Sequence, residues 1–386
     1  MKKLKVLLIN KNLIAGGIET SLLSFIDNMK DYVDIELVLF NKTGALIDRL
    51  PQDIKVYEGG KILKYLNRDC TPVIGTVLTN KKFSIKSFLF NFIKKLGGRK
   101  ILSKFALIGQ KIKSNYDVVI SYNALNDISS NFALKCVKAK KKYAYIHSDV
   151  SKYAISKNYQ RKLKKFDKII CVSESCANIA KRKFDKMKEK IDYLYNFQNA
   201  DKMKKLSNEF LPEYGEAFNI ITPARLSEEK AHLRTLSALK KLHDQKYEFV
   251  WNIVGDGDKR TEIEQYIRDN NMSSYVKLWG NQSNPYPYIK NADLLYLGSY
   301  HEAAPMVYFE AMILGVPVLT TNTASANELV GDKGYVCDNN DESILNSFKN
   351  IMDNPAEFSK KKNELSKFEY NNKEIVNKFL NWINEN

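Results

Sequence analysis

Two carboxylates eight residues apart, Glu302 and Glu310, stand in the stretch from Ser299 to Thr321, SYHEAAPMVYFEAMILGVPVLTT. Pro305, with no amide hydrogen, suits the first turn of a helix, Gly315 stops that helix, and Pro317 opens a strand. Glu302 then stands in the loop before the helix, and Glu310 lies on its flank. Between them the amides of Met306 and Val307 lie at the positive end of the helix dipole, a place suited to phosphate. Carboxylates that accept from hydroxyls, beside amides that donate to phosphate, point to a sugar nucleotide. The same spacing also describes an ordinary strand-loop-helix unit with one glutamate exposed and the other on a solvated face.

The elements that would position these groups form two successive α/β series. In the first, Val6 to Asn10 reads as a buried strand, followed by a bend at Gly16-Gly17 and a helix from Ile18 to Met29. The paired glycines let backbone approach a ligand closely, and they match neither G-x-G-x-x-G nor a P-loop. Further strands are expected at 34–40, 54–57, 117–122, 143–147, 168–172 and 191–195. The spacing gives a second series with strands at 218–224, 249–254, 276–279, 293–297, 316–320 and 335–336. Strands alternating with helices imply mostly parallel sheets whose ligands bind beyond the carboxyl ends of the strands. The predicted domains are residues 1–197 and 217–369, with a polar linker over 198–216. Residues 370–386 carry Ile375, Phe379, Leu380, Trp382 and Ile383 at helical spacing, an apolar stripe that must pack on something.

Charge is the unusual part of the composition. Against 44 Asp and Glu the chain has 61 Lys and Arg, a formal +17, which favours an anionic partner. From Lys81 to Lys113 there are ten Lys or Arg and no acid, interleaved with Phe, Leu and Ile. That pattern describes either a basic amphipathic helix lying on an anionic membrane surface or a helix docked on its own sheet with a solvated lysine face. No recognisable nucleic-acid module accompanies the charge, and no nucleic-acid partner is expected. The five cysteines are scattered without a C-x-x-C pair, so free thiols in a reducing compartment are expected. No run suits a signal peptide or a bilayer span; the expectation is a cytoplasmic protein, soluble or peripheral on the inner face of the cell membrane.

Taken together, Gly16-Gly17, Val172-Ser173-Glu174, Tyr195-Asn196, Ala224-Arg225-Leu226 through Lys230, Gly255-Asp256-Gly257 and the Glu302 to Glu310 pair resemble the retaining GT-B-fold glycosyltransferases of family 4 over nearly the whole chain. The resemblance implies two Rossmann-like domains facing each other across a cleft, with the C-terminal helix packing back on the N-terminal domain. It implies a nucleotide-sugar donor, most often a uridine one, and a glycan acceptor in cell-surface polysaccharide synthesis; the basic amphipathic segment motivates the further expectation that this acceptor is lipid-linked. It further implies that Arg225 and Lys230 neutralise the donor diphosphate and that Glu310 holds the ribose. Glu302 would hold the donor sugar, and the amides after Pro305 and near Gly17 would donate to phosphate and sugar. His147, in Tyr145-Ile146-His147-Ser148-Asp149, matches the family's cleft histidine, although a lone histidine also reads as structural.

Two residues depart from the family's pattern. Ala303 follows Glu302 where glycine is more frequent, narrowing the room near the donor sugar, and Ala231 follows Lys230 where glycine is usual, a milder change at a helix start. Asp256-Gly257-Asp258 spells D-x-D, but between a strand and a helix it reads as a turn with Asp258 as N-cap, and neither a metal nor another cofactor is expected. The rival reading is a non-catalytic GT-B-fold binding protein or a partner subunit with a degenerate cleft. Retention of Arg225, Lys230, Glu302 and Glu310 together argues against it.

Overall fold

The computed structural model of the chain describes residues 3–14, 16–60, 107, 111–125 and 127–385. The N-terminal half runs β1 (Lys5–Asn10), α1 (Gly17–Met29), β2 (Asp34–Leu39), β3 (Lys55–Glu58), β4 (Asn115–Ser121), α2 (Asp127–Lys135), β5 (Lys138–Ile146), α3 (Lys157–Leu163), β6 (Lys168–Cys171), α4 (Glu174–Lys183) and β7 (Ile191–Tyr193). The strands pair in the order β3-β2-β1-β4-β5-β6-β7, every pairing parallel. Val6, Leu7, Leu8 and Ile9 are all fully buried. Since neighbouring residues on a strand face opposite sides, both faces of this sheet are covered, as a parallel sheet requires.

β5 starts at Lys138, five residues before the expected Tyr143, and pairs with β4 from Asn115 onward. Its lysines hide the strand from an apolar-pattern reading. They are accommodated because the long stems lie along the sheet while the ammonium groups reach polar acceptors. Lys142 Nζ donates to the carbonyls of Ala133, Leu134 and Val137, closing the C-terminal end of α2. The basic stretch 81–113 lies outside the described residues, apart from Leu107 and 111–113.

The expected linker contains a packed helix, α5 (Ala200–Leu206), with Met203 buried, so it is more than a polar tether. The C-terminal half follows as β8 (Phe218–Pro223), α6 (His232–Asp244), β9 (Phe249–Val254), α7 (Arg260–Asp269), β10 (Val276–Gly280), α8 (Tyr286–Lys290), β11 (Leu294–Leu297), α9 (Met306–Ile313), β12 (Val318–Thr321), α10 (Ala326–Leu329), β13 (Tyr335–Cys337), α11 (Asp341–Asp353) and α12 (Pro355–Leu365). Its parallel sheet has the order β10-β9-β8-β11-β12-β13. One face packs Trp251, Tyr296 and Phe348, and the other packs Leu295, Tyr308 and Met312.

The last helix, α13 (Asn372–Asn384), returns to the first half. Ile375, Val376, Phe379, Trp382 and Ile383 join the N-terminal core, where Phe379 meets Phe25 edge to face at 5.1 Å. At roughly 1.5–3 kcal/mol per buried large side chain, these five are ample to hold the helix there. The two chain crossings between the halves are tied to each other. Gln198 N donates to Asn372 Oδ1, Asn372 Nδ2 donates to Gln198 O, and Tyr370 OH donates to Asn196 O.

Candidate active site

The loop after β11 carries Glu302, and two donors converge on one of its oxygens. Lys230 Nζ lies 2.5 Å and Ser299 Oγ 2.6 Å from Glu302 Oε1. Both members of the ion pair are largely buried, so it is screened little by solvent. The loop is held from below by a residue that sequence reasoning missed. Arg234, one turn after Lys230 on α6, donates to Gly298 O and to Asn339 Oδ1 and stacks its guanidinium 4.3 Å from the Tyr300 ring centre. Only its four-residue spacing from Lys230 hinted at this.

Ala231, at the family's usual glycine position, has φ 54°, in the left-handed region. The replacement is therefore not mild, because a side chain here works against Cβ sterics. It sits between the short turn holding Lys230 and the start of α6, so the strain falls at the site. Ala303 is buried against the N-terminal core, and its carbonyl accepts from Cys176 Sγ and Ser325 Oγ.

Glu310 is not on a solvated flank. It is buried, and burial pushes its carboxyl from the ordinary 4.5 up to about 7, opposed by the Arg49 guanidinium from the N-terminal half. The first amide of α9 with a backbone acceptor is that of Tyr308, which donates to Pro305 O. Those of Met306 and Val307 have no acceptor among the described residues, as the first amides of a helix do not. Beside Glu310 lies a cavity of about 40 Å³, lined among others by Thr20, Arg49, Lys202 and Tyr286. It has room for a water or two.

Arg225, in the turn after β8, is exposed. Its loop is laced to the next one: Leu226 N donates to Asp256 O, and Lys259 N to Leu226 O. A Cβ on Gly257 would come within 2.2 Å of Leu226 O, so the glycine is what lets the two turns meet. Asp256 Oδ1 accepts from Gly257 N, as a turn residue does. Asp258, in contrast, caps nothing; α7 begins two residues later, with Lys259 at its N-cap position. Among the described residues no group of three or more His, Cys, Asp or Glu is placed to hold a metal.

Across the cleft, Gly16 stands at the N-cap position of α1 and Gly17 opens the helix. A Cβ on Gly17 would meet nothing within 4 Å, so the space beside it is open. One on Gly16 would lie 2.7 Å from Glu19 Oε2 and 3.8 Å from Arg225 Nη2, which brings Arg225 up to the N-terminal bend. His147 is not drawn into contact with Glu302 or Arg225. It packs, tilted, against Tyr122 and Tyr145 with centroids at 4.8 and 4.3 Å, and burial pushes its pKa down to about 3. Its ring donates to the Tyr122 backbone, and Nε2 is buried without a partner among the described residues.

Further contacts join the halves around the site. Glu328 accepts from the amides of Glu174 and Ser175 and from Tyr195 OH. Asn196 Nδ2 reaches Ala304 O at 3.5 Å, and Arg49 donates to Ser283 O.

Residues 203–374 match the family model of glycosyl transferases group 1. Over its whole length the chain superposes on Anabaena HepE in complex with UDP, with a TM-score of 0.66, 18% identity, and coverage of 98% of this chain and 99% of that one. It also superposes on Staphylococcus aureus TarM in a complex containing UDP, with a TM-score of 0.70, 15% identity, and coverage of 99% and 100%. The fold is GT-B.

Among curated proteins the chain is similar to an uncharacterized glycosyltransferase of Methanocaldococcus jannaschii, 27% identical over 161 residues, 40% of each chain. It is also similar to the lipopolysaccharide core biosynthesis glycosyltransferase LpsD of Rhizobium meliloti, 23% identical over 191 residues, 49% of this chain and 54% of that one. The matches thus span about two fifths to one half of these relatives' lengths. Among the described residues no helix is long and apolar enough to cross a membrane.

Proposed function

We propose that this chain is a retaining glycosyltransferase of family 4 that moves a sugar from a nucleoside diphosphate, a uridine one in the first instance, onto a lipid-linked glycan acceptor at the inner face of the cell membrane. The observation that carries the reading is the convergence of Lys230 and Ser299 on Glu302. Among the described residues Glu302 takes no other side-chain donor and the Met306 and Val307 amides have no acceptor, while Arg225, in the turn after β8, is exposed. The names of relatives that act in lipopolysaccharide core and amylovoran biosynthesis, and the UDP in the HepE complex, support the substrate class.

In this scheme the amides of Met306 and Val307, with Arg225 and Lys230, take the diphosphate. They stabilise the charge that grows on it as the anomeric carbon–oxygen bond breaks. Glu310 accepts from the ribose hydroxyls and Glu302 from those of the sugar. The acceptor oxygen bonds to the same face of the anomeric carbon, and its proton passes to a phosphate oxygen of the leaving diphosphate. His147, uncharged at neutral pH, lies near the transferred sugar or the acceptor rather than supplying a proton. No metal enters the scheme.

The test is nucleotide release from a panel of uridine-, guanosine- and adenosine-diphosphate sugars with chelator present, beside a Glu302→Ala control. Release from one donor that is lost in the control is the expected result. If no donor is consumed and calorimetry detects no nucleotide binding, the reading fails in favour of a non-catalytic GT-B protein.

A further inference from the structure

Glu19 has no place in that scheme, yet it stands at its centre. It lies in the first turn of α1, three residues after Gly16, and is 9% exposed. Its carboxyl accepts from the Asn10 side chain and from its own amide, while burial raises its pKa and the charges of Arg225 and Lys11 oppose that rise. Glu19 belongs to the N-terminal half and Arg225 to the C-terminal half, but both come within 4 Å of the same point beside Gly16. Arg225 makes no side-chain hydrogen bond or ion pair to protein among the described residues, and its charge acts on Glu19 across the cleft.

We propose that Glu19 is a positioning residue for Arg225: its carboxylate draws the guanidinium across the cleft to the Gly16-Gly17 bend, so that the phosphate site is assembled only when the two domains approach. This rests on the nucleoside-diphosphate reading above. A buried carboxylate is costly in proportion to the cations it lacks, and with the halves apart Glu19 keeps Lys11 but loses the Arg225 charge. When a diphosphate arrives it competes with Glu19 for the same guanidinium. Glu19 therefore weakens ground-state nucleotide binding while holding Arg225 where the leaving group needs it. Gly16 is part of the device, since a methyl group there would displace the Glu19 carboxylate.

Two readouts on the full chain test this. The first needs no nucleotide: the rate of phenylglyoxal modification of Arg225, followed by peptide mass spectrometry at low salt. In Glu19→Gln this rate is expected to rise about three- to tenfold, the size of a partly screened charge pair, with Arg182 as the unchanged internal reference. An unchanged Arg225 rate overturns the proposal. The second readout is UDP, GDP and ADP calorimetry in a double-mutant cycle. Glu19→Gln is expected to bind the preferred nucleotide about three- to tenfold more tightly and to turn donor over more slowly, with no effect on affinity in an Arg225→Gln background. An equal effect in both backgrounds shows a merely structural role and overturns the proposal. If Arg225 labelling responds but no nucleotide binds wild type, the pairing stands and the donor reading falls. Should Glu19→Gln not fold, Glu19→Asp carries the same test: retracting the carboxylate is expected to speed Arg225 labelling, and an unchanged rate overturns the idea.

Discussion

The titration of Glu310 gives the sharpest prediction. In the unfolded chain this carboxyl ionises near 4.5, whereas in the fold burial delays ionisation to about 7. A folded state that resists ionisation is favoured while the group is protonated. The contribution is therefore fully present below about 4.5, is lost as the pH rises towards 7, and stays lost above it. At about 1.4 kcal/mol per pH unit, the interval is worth roughly 3 kcal/mol, to within a factor of two. Glu310→Gln keeps the shape and removes the titration. Unfolding should be measured for wild type and variant from about pH 5 to pH 9, and the difference between them plotted. Subtraction removes the opposite contributions of His147 and His232, whose pKa values burial lowers to about 3 and about 4. It likewise removes Glu19, which is raised as Glu310 is. The variant is expected to gain on wild type by roughly 2–3 kcal/mol across that range. A difference that stays flat with pH would refute the claim that Glu310 is buried and protonated at mildly acid pH.

Three further outcomes follow from single positions. Ala231→Gly relieves a left-handed alanine and is expected to stabilise the chain by about 1 kcal/mol, read as a higher thermal midpoint; a lower midpoint would show that the backbone there is unstrained. Gly257→Ala puts a methyl group 2.2 Å from Leu226 O. It is expected to cost about 2 kcal/mol or more and to weaken nucleotide binding by shifting the Arg225 turn; wild-type values of both would count against the lacing of the two loops. Glu328→Ala leaves the amides of Glu174 and Ser175 and the Tyr195 hydroxyl without their acceptor. A loss of about 1–2 kcal/mol and a more open solution-scattering profile are expected, and an unchanged profile would show that this contact does not hold the halves together.

The sequence by itself determined the architecture, because parallel strands covered on both faces must be nearly continuous in apolar residues and the crossovers between them must be helical. Runs such as those of β1, β9 and β11 are legible for that reason, and so is the stripe of α13, whose apolar residues had to meet a second surface. The lysines of β5 broke that pattern, and the strand start was misplaced accordingly. Local spacing also placed Glu302 before a helix and Lys230 after a strand. That the two touch needed the sheet order β8-β11, which brings segments 72 residues apart side by side.

Tertiary structure alone decided the chemical state of the site. Whether Glu310 faced water or the other domain depended on where α1 and Arg49 lie, and neither is near it in sequence. His147 reads the same in the chain whether it is free to carry a charge or wedged neutral between two tyrosines. Asp258 looked like a helix cap until the helix began two residues further on. Glu19 and Arg234 carried no motif, since the groups they meet lie far along the chain and, for Glu19 and Arg225, in the other half. Backbone preference and hydrophobic period are properties of neighbours along the chain, whereas burial and charge pairing are properties of neighbours in space.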